Sequence, residues 1–101
     1  MAKLSIEQIS CYLNKVPGWH LTENKQALIR TLSYPDFPSA LRMVKRLADY
    51  MEGEDHLPEV NIKGSDITFT LSTSHANGLT GKDFALAQKI NRLTQAVTEA
   101  I

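Results

Sequence analysis

Cysteine is almost absent from this chain, which has a single one, Cys11, among 101 residues. One thiol cannot form an intrachain disulfide, so the disulfide framework that holds many small secreted domains together is excluded. No apolar run approaches the roughly 20 residues needed to cross a bilayer, and the N-terminus lacks the continuous apolar stretch of a signal peptide. We therefore expect a cytoplasmic protein that makes no membrane contact and forms one domain over residues 1–101.

An excess of charge of either sign is also missing. Lys plus Arg and Asp plus Glu each number 11, so the formal net charge at pH 7 is zero. Proteins that bind phosphate backbones are usually basic, so a nucleic-acid partner is not expected. Glycine-rich phosphate loops and Gly-x-Ser-x-Gly elbows are absent as well. Hydrophobic residues make up 43% of the chain and charged residues 22%, which is typical of a globular domain.

Three segments have the period of an amphipathic helix. Ser5 is placed to cap the first, and Asp36 is placed to cap a second that continues to Met51. Thr80 and Asp83 resemble the capping box of a third, with Asp in place of the usual Glu. The second helix has an apolar stripe broad enough to cover a sheet, formed by Phe37, Ala40, Leu41, Val44, Leu47, Ala48 and Met51. Cys11 lies within the first helix, where we expect a packed, unreactive thiol.

Four segments alternate between apolar and polar residues, as half-buried strands do. They are 19–21, 27–32, 59–63 and 66–72, and a two-residue turn at Gly64-Ser65 joins the last two. Together with the helices they predict an α+β fold in the order α-β-β-α-β-β-α. A four-stranded antiparallel sheet would carry three helices packed on one face. Because such a sheet keeps open edges, we expect a homodimer or higher homo-oligomer in which a second copy extends the sheet.

Histidine supplies the candidate chemistry. His20 lies on a strand and points away from Trp19 and Leu21, so it is interpreted as a solvated side chain. His56 follows the second helix and His75 follows the fourth strand, in two loops that can meet at one end of the sheet. The residues around them are carboxylic acids and hydroxyls: Glu52, Glu54, Asp55, Ser72, Thr73 and Ser74. A histidine beside carboxylates suits general acid–base catalysis, and the alternative is a pair of exposed loop histidines.

Metal binding has weaker support. Two histidines with no cysteine nearby make a poor zinc site, although carboxylates could complete one. We therefore expect no metal and no other cofactor.

Several short motifs occur in the order and at the spacing found in one known family. They are Gly18-Trp19-His20-Leu21, then Asp36-Phe37 with Ala40, Met43, Leu47 and Ala48, then Glu52 with His56 and Pro58-Glu59, and finally Leu71-Ser72-Thr73 with Gly78-Leu79-Thr80 and Asp83. Over nearly its whole length the chain resembles the pterin-4a-carbinolamine dehydratases. The resemblance implies dehydration of 4a-hydroxytetrahydrobiopterin to the quinonoid dihydropterin. It also implies a pterin-binding site, or its remnant, at Glu52, Pro58, Glu59, Ser72, Thr73, Ser74 and Asp83.

The chain departs from this family at the acid–base groups. The family uses a His-His pair in the first loop and a third histidine after the fourth strand. His56 matches the first histidine, whereas Leu57 replaces the second and Ser74 the third, with His75 one residue later. Leucine exchanges no proton, and one step along an extended segment turns a side chain to the opposite side. Val60 also stands where the family has an aromatic residue.

Two functions follow from the resemblance. One is a catalytically degenerate dimer that acts through protein interaction, similar to the Rubisco assembly factor of α-carboxysomes, with Rubisco subunits or another protein as partner. The other is an active dehydratase in pterin recycling that uses His56, helped by His75. We favour the first, because loss of one acid–base group costs about 100- to 10,000-fold in rate and two are missing.

Overall fold

The structure is a computed structural model that describes residues 3–24, 26–53, 56–73 and 78–99. Its elements are, in chain order, α1 (Ile6–Leu13), β1 (His20–Leu21), β2 (Leu28–Ser33), α2 (Phe37–Tyr50), β3 (Glu59–Lys63), β4 (Asp66–Leu71) and α3 (Gly81–Glu99). The α+β class and the order of elements predicted from the sequence are confirmed. Within these residues, no helix is long and apolar enough to cross a membrane.

The four strands form one antiparallel sheet in the order β1-β2-β4-β3. The two predicted hairpins are thus joined through β2 and β4, which pair along their whole length. The turn between β3 and β4 is Gly64-Ser65, and Gly64 has a φ of 61°, which glycine adopts without steric cost. β1 is shorter than predicted, since only His20 and Leu21 pair with β2.

The first two helices begin where the sequence places their caps. The Ser5 hydroxyl accepts from the Gln8 backbone N–H at 3.2 Å, and the Gln8 side chain accepts from the Ser5 N–H at 2.9 Å. The Asp36 carboxylate accepts from the Ser39 N–H at 2.8 Å. These bonds satisfy backbone donors that a helix leaves unpaired in its first turn, so both helices start at fixed residues.

The cap at Asp36 has a measurable pH dependence. Hydrogen bonds from Ser39, aided by the charge of Arg42, hold the pKa of Asp36 below its ordinary value of 3.8. The ionised cap therefore stabilises α2 above the unfolded-state pKa, and this contribution is lost as the pH falls through the lower folded-state pKa. We expect an NMR titration of the Asp36 carboxyl to have a midpoint below 3.8, with the Ser39 amide signal moving in parallel. In Asp36→Asn the parallel Ser39 shift should vanish, and a midpoint at or above the ordinary value would contradict the prediction.

Buried apolar side chains fill the space between the sheet and the helices. The members from the sheet are Leu28, Ile67, Phe69 and Leu71, and those from the helices include Ile9, Ala40, Met43, Leu47, Ala87 and Ile90. Trp19 packs beside Phe69, with ring centroids 6.4 Å apart. The opposite face of the sheet carries polar residues such as Thr31 and Thr68, whose hydroxyls lie 3.1 Å apart. The predicted packing of helices on a sheet is thus confirmed.

Two expectations about the helices are wrong. The stripe of α2 does not face the sheet as a whole, because Phe37 and Leu41 are 50% and 44% exposed. The row that meets the sheet instead includes Met43, which the predicted stripe left out. Cys11 is exposed on α1 rather than packed. Periodicity alone does not say which side of a broad apolar helix meets the core, and the sheet decides it.

Candidate functional site

The candidate site is built around the buried carboxylate of Asp83 at the start of α3. Its Oδ1 lies 2.7 Å from Nε2 of His56, in the segment that follows α2. Its Oδ2 accepts from the hydroxyl of Thr73 at 2.8 Å and from the backbone N–H of Thr80 at 2.9 Å. Asp83 is 0% exposed. The segments after α2 and β4, which the sequence predicted to share one end of the sheet, therefore meet at this carboxylate.

Local structure explains why an aspartate fits there. Thr80 precedes the first residue of α3, and Asp83 reaches back to its N–H, which is one half of the predicted capping box. The Thr80 hydroxyl does not complete the box and lies instead 2.9 Å from the Thr73 hydroxyl. A bridge between Thr73 and Gly78 brings these threonines together. The N-terminus of a helix also favours negative charge, so α3 stabilises the ionised carboxylate.

The acceptors and donors fix the direction of each hydrogen bond. Thr73 donates to Asp83, so the Thr80 hydroxyl must donate to Thr73. An ionised carboxylate only accepts, so Nε2 of His56 carries a hydrogen and donates it to Oδ1. Nδ1 of His56 is then the nitrogen left to exchange a proton with a ligand or water. The His56 side chain is 25% exposed, so part of the imidazole faces solvent.

The other predicted site residues have different positions. Glu52, Glu59 and Ser72 are exposed, and Pro58 is half-buried. Within the described ranges, none of these side chains forms a hydrogen bond with the Asp83 cluster. Ser74 and His75 lie outside the described residues, as do Glu54 and Asp55. Their assignment to the site stays a prediction.

Two apolar side chains follow His56 in the sequence and face solvent. Leu57, directly after it, is 60% exposed, and Val60 in β3 is 36% exposed. Neither can exchange a proton. In the part of the chain that the structure describes, no three His, Cys, Asp or Glu side chains are grouped to hold a metal ion. A histidine oriented by a buried carboxylate is suited to proton exchange.

Sequence reasoning assigned Thr80 to the helix cap and to the family motif, and it missed the contact of Thr80 with Thr73. The signal was incomplete, since the capping motif identifies the bond to Asp83 but not the pairing of two hydroxyls across a loop. That pairing depends on the return of the chain after β4, which no local pattern specifies.

Comparison with known proteins finds a matching family model and similar sequences. A family model described as pterin 4 alpha carbinolamine dehydratase matches residues 2–93. Proteins from Mycolicibacterium smegmatis and Nocardia farcinica, both named "Putative pterin-4-alpha-carbinolamine dehydratase", are similar to the chain. The first is 38% identical, over 92% of this chain and 97% of its own length. The second is 40% identical, over 91% of this chain and 95% of its own length.

A solved structure is also similar. It is the crystal structure of a transcriptional coactivator/pterin dehydratase from Brucella melitensis, with a TM-score of 0.81 and 28% sequence identity. The match covers 90% of this chain and 97% of the other.

Proposed function

We propose, from the premise that this chain belongs to the pterin-4a-carbinolamine dehydratase family, that it is a catalytically degenerate member acting through protein interaction. The observation that supports the proposal is Leu57, an exposed apolar side chain directly after His56. Dehydration of a carbinolamine needs an acid for the departing hydroxide and a base for the ring-nitrogen proton. One histidine paired with a buried aspartate supplies one such group, and leucine cannot supply the other.

Rubisco is the partner that we propose, by similarity to the assembly factor of α-carboxysomes, and carboxysome association is the corresponding location. The name of the Brucella relative joins coactivator and dehydratase, so a protein-interaction role beside the enzymatic one has a parallel in the family. The test is reconstitution of Rubisco from its subunits with and without the purified chain. We expect complex formation with the subunits and a higher yield of assembled enzyme. Failure of both would remove Rubisco as the partner.

Sheet extension is the mode of self-association that we propose. β3 lies at the outside of the sheet, with β4 on one side of it. In a two-residue hairpin the residues that flank the turn bond to each other, so by alternation Val60 and Ile62 direct their backbone N–H groups outward. A second β3 can pair with these groups, which otherwise form an open edge.

The substitution Val60→Pro tests this interface, because it removes an outward donor and proline is tolerated on an edge strand. We expect light scattering to find an oligomer for the original chain and a monomer for Val60→Pro. Phe37→Ser is the matched comparison, since Phe37 is exposed on α2 and distant in sequence from the edge. If Phe37→Ser dissociates the oligomer and Val60→Pro leaves it intact, the interface lies on α2 instead.

An active dehydratase that recycles pterin is the second candidate. The bond of 2.7 Å between His56 and Asp83 favours it, because a carboxylate that orients an imidazole leaves the other ring nitrogen ready for proton transfer. Stopped-flow kinetics with synthetic 4a-hydroxytetrahydropterin distinguish the two candidates. An active enzyme should lose its rate in the variant His56→Ala. It should keep its rate in His20→Ala, because His20 is exposed on the sheet. A rate equal to that of buffer, unchanged in His56→Ala, would exclude catalysis.

A further inference from the structure

Arg30 occupies an unusual position in the sheet. Strand alternation places it on the helix-covered face, between Leu28 and Leu32, and it lies opposite the buried Phe69 in the register of β2 and β4. Charged residues are seldom enclosed without a partner of opposite charge. The environment of this guanidinium group therefore needs an explanation.

The guanidinium is held by a neutral side chain. Its Nη1 donates to Oδ1 of Asn91 on α3. The same oxygen accepts from Nε1 of Trp19 at 2.8 Å, and Nδ2 of Asn91 donates to the carbonyl of Pro17 at 3.1 Å. Gly18, with a φ of 88°, lies so close that a Cβ there would come within 3.1 Å of the Arg30 Nε. Asn91 and the glycine backbone thus fix the orientation of the cation.

No carboxylate compensates this charge within the described residues. The ion pairs between Lys45 and Asp49 and between His56 and Asp83 involve other groups. Burial lowers the pKa of Arg30, with a smaller opposing effect from Tyr34, but an arginine stays protonated under any ordinary condition. A guanidinium has five N–H donors, and Asn91 accepts a hydrogen bond from one of its nitrogens. Within the described residues, its other donors form no hydrogen bond.

Arg30 lines a cavity of about 810 Å³ between β2, α3 and the segment that follows α1. Two further cations, Lys15 and Arg92, line it, together with the hydroxyls of Ser33 and Tyr34. Among the described side chains that line it there is no aspartate or glutamate. Cavities of roughly 300–1,000 Å³ are the usual size for small-molecule sites. The cavity shares no residue with the cluster around Asp83.

We propose that this cavity binds a small molecule through an oxyanion group, a phosphate or a carboxylate, with Arg30 as its central ligand. A planar, pre-oriented guanidinium matches two oxygens of such a group, and the two other cations add attraction at the rim. Asn91 is the residue that makes this possible, because it positions Arg30 without neutralising it. The proposal concerns a site separate from the one around His56 and does not depend on the function assigned there.

NMR titration of the intact protein tests the proposal. The chain has one tryptophan, so the indole N–H of Trp19 is a single signal that reports on Asn91 and Arg30. The probes are inorganic phosphate and malonate, each against sodium chloride of equal ionic strength. We expect a saturable shift with one or both oxyanions and none with chloride, and the responding probe identifies the chemical group. The absence of a saturable shift with both probes, or the same shift with chloride, would overturn the proposal.

Two substitutions locate the binding. Arg30→Met should abolish the shift, whereas Arg46→Met, which removes an equal charge from the exposed side of α2, should leave it intact. Asn91→Asp keeps the acceptor for Arg30 and Trp19 but places a carboxylate against the guanidinium, so affinity should fall at least about tenfold. If Arg30→Met does not fold, the affinity of Asn91→Asp for the oxyanion tests the site instead. Unchanged affinity in Asn91→Asp would contradict the site.

Discussion

Leu57→His is expected to raise the rate of carbinolamine dehydration by about 100-fold or more, since one positioned acid–base group contributes about 100- to 10,000-fold. The new imidazole would stand beside His56, whose orientation is already set by Asp83. Because Leu57 is 60% exposed, the substitution disturbs little packing. Stopped-flow measurement with synthetic 4a-hydroxytetrahydropterin gives the rate directly.

The matched control is Leu57→Gln, which adds a polar side chain without a group that titrates. It should leave the rate at that of the original chain. Adding His56→Ala to Leu57→His should remove the gain, because the two histidines act on the same substrate. Equal rates for Leu57→His and Leu57→Gln would mean that the missing histidine is not what limits this protein.

Asp83→Ala is expected to lower the free energy of unfolding by about 3 kcal/mol, because it leaves several buried polar groups without their acceptor. The Thr73 hydroxyl and the Thr80 N–H both lose a bond to Oδ2, and His56 loses its bond to Oδ1. Each unsatisfied buried group costs on the order of 1–3 kcal/mol. For a protein of this size the midpoint of thermal unfolding should fall by about 15 °C.

Urea unfolding measures this loss, and Asp49→Ala is its control. Asp49 is on the outside of α2, with 73% of its side chain exposed and a single contact of 3.8 Å to Lys45. Such surface pairs contribute little, so that variant should unfold close to the original chain. A similar, small loss in both variants would show that the Asp83 cluster is not a stabilising network.

Much of the fold could be read from the sequence because its signals are local. Ser5 and Asp36 act on backbone groups three residues away, and the Gly64-Ser65 turn joins strands that are adjacent in the chain. Each of these features depends on a few consecutive residues. The predicted starts of the helices and the bounds of the second hairpin therefore agree closely with the structure, whereas α1 ends at Leu13, before the predicted stop at Pro17-Gly18.

The site and the cavity could be predicted only in part, because the residues that contact each other there are far apart in the chain. Asp83 lies 27 residues from His56, and Asn91 lies 61 residues from Arg30. The family motif suggests that Asp83 and His56 belong to one site, but no local rule pairs Arg30 with Asn91. Strand alternation places Arg30 on the apolar side of β2. A charged residue at such a position was the signal available from the sequence.

The junction of β2 and β4 has a consequence for the order in which this protein folds. Each hairpin closes over a short turn, whereas the central pair brings together strands separated by all of α2 and β3. Closing that long loop costs chain entropy before any packing compensates for it. The hairpins should accordingly form early, and the middle of the sheet should assemble only as α2 collapses onto it, so the central strands set the speed of folding.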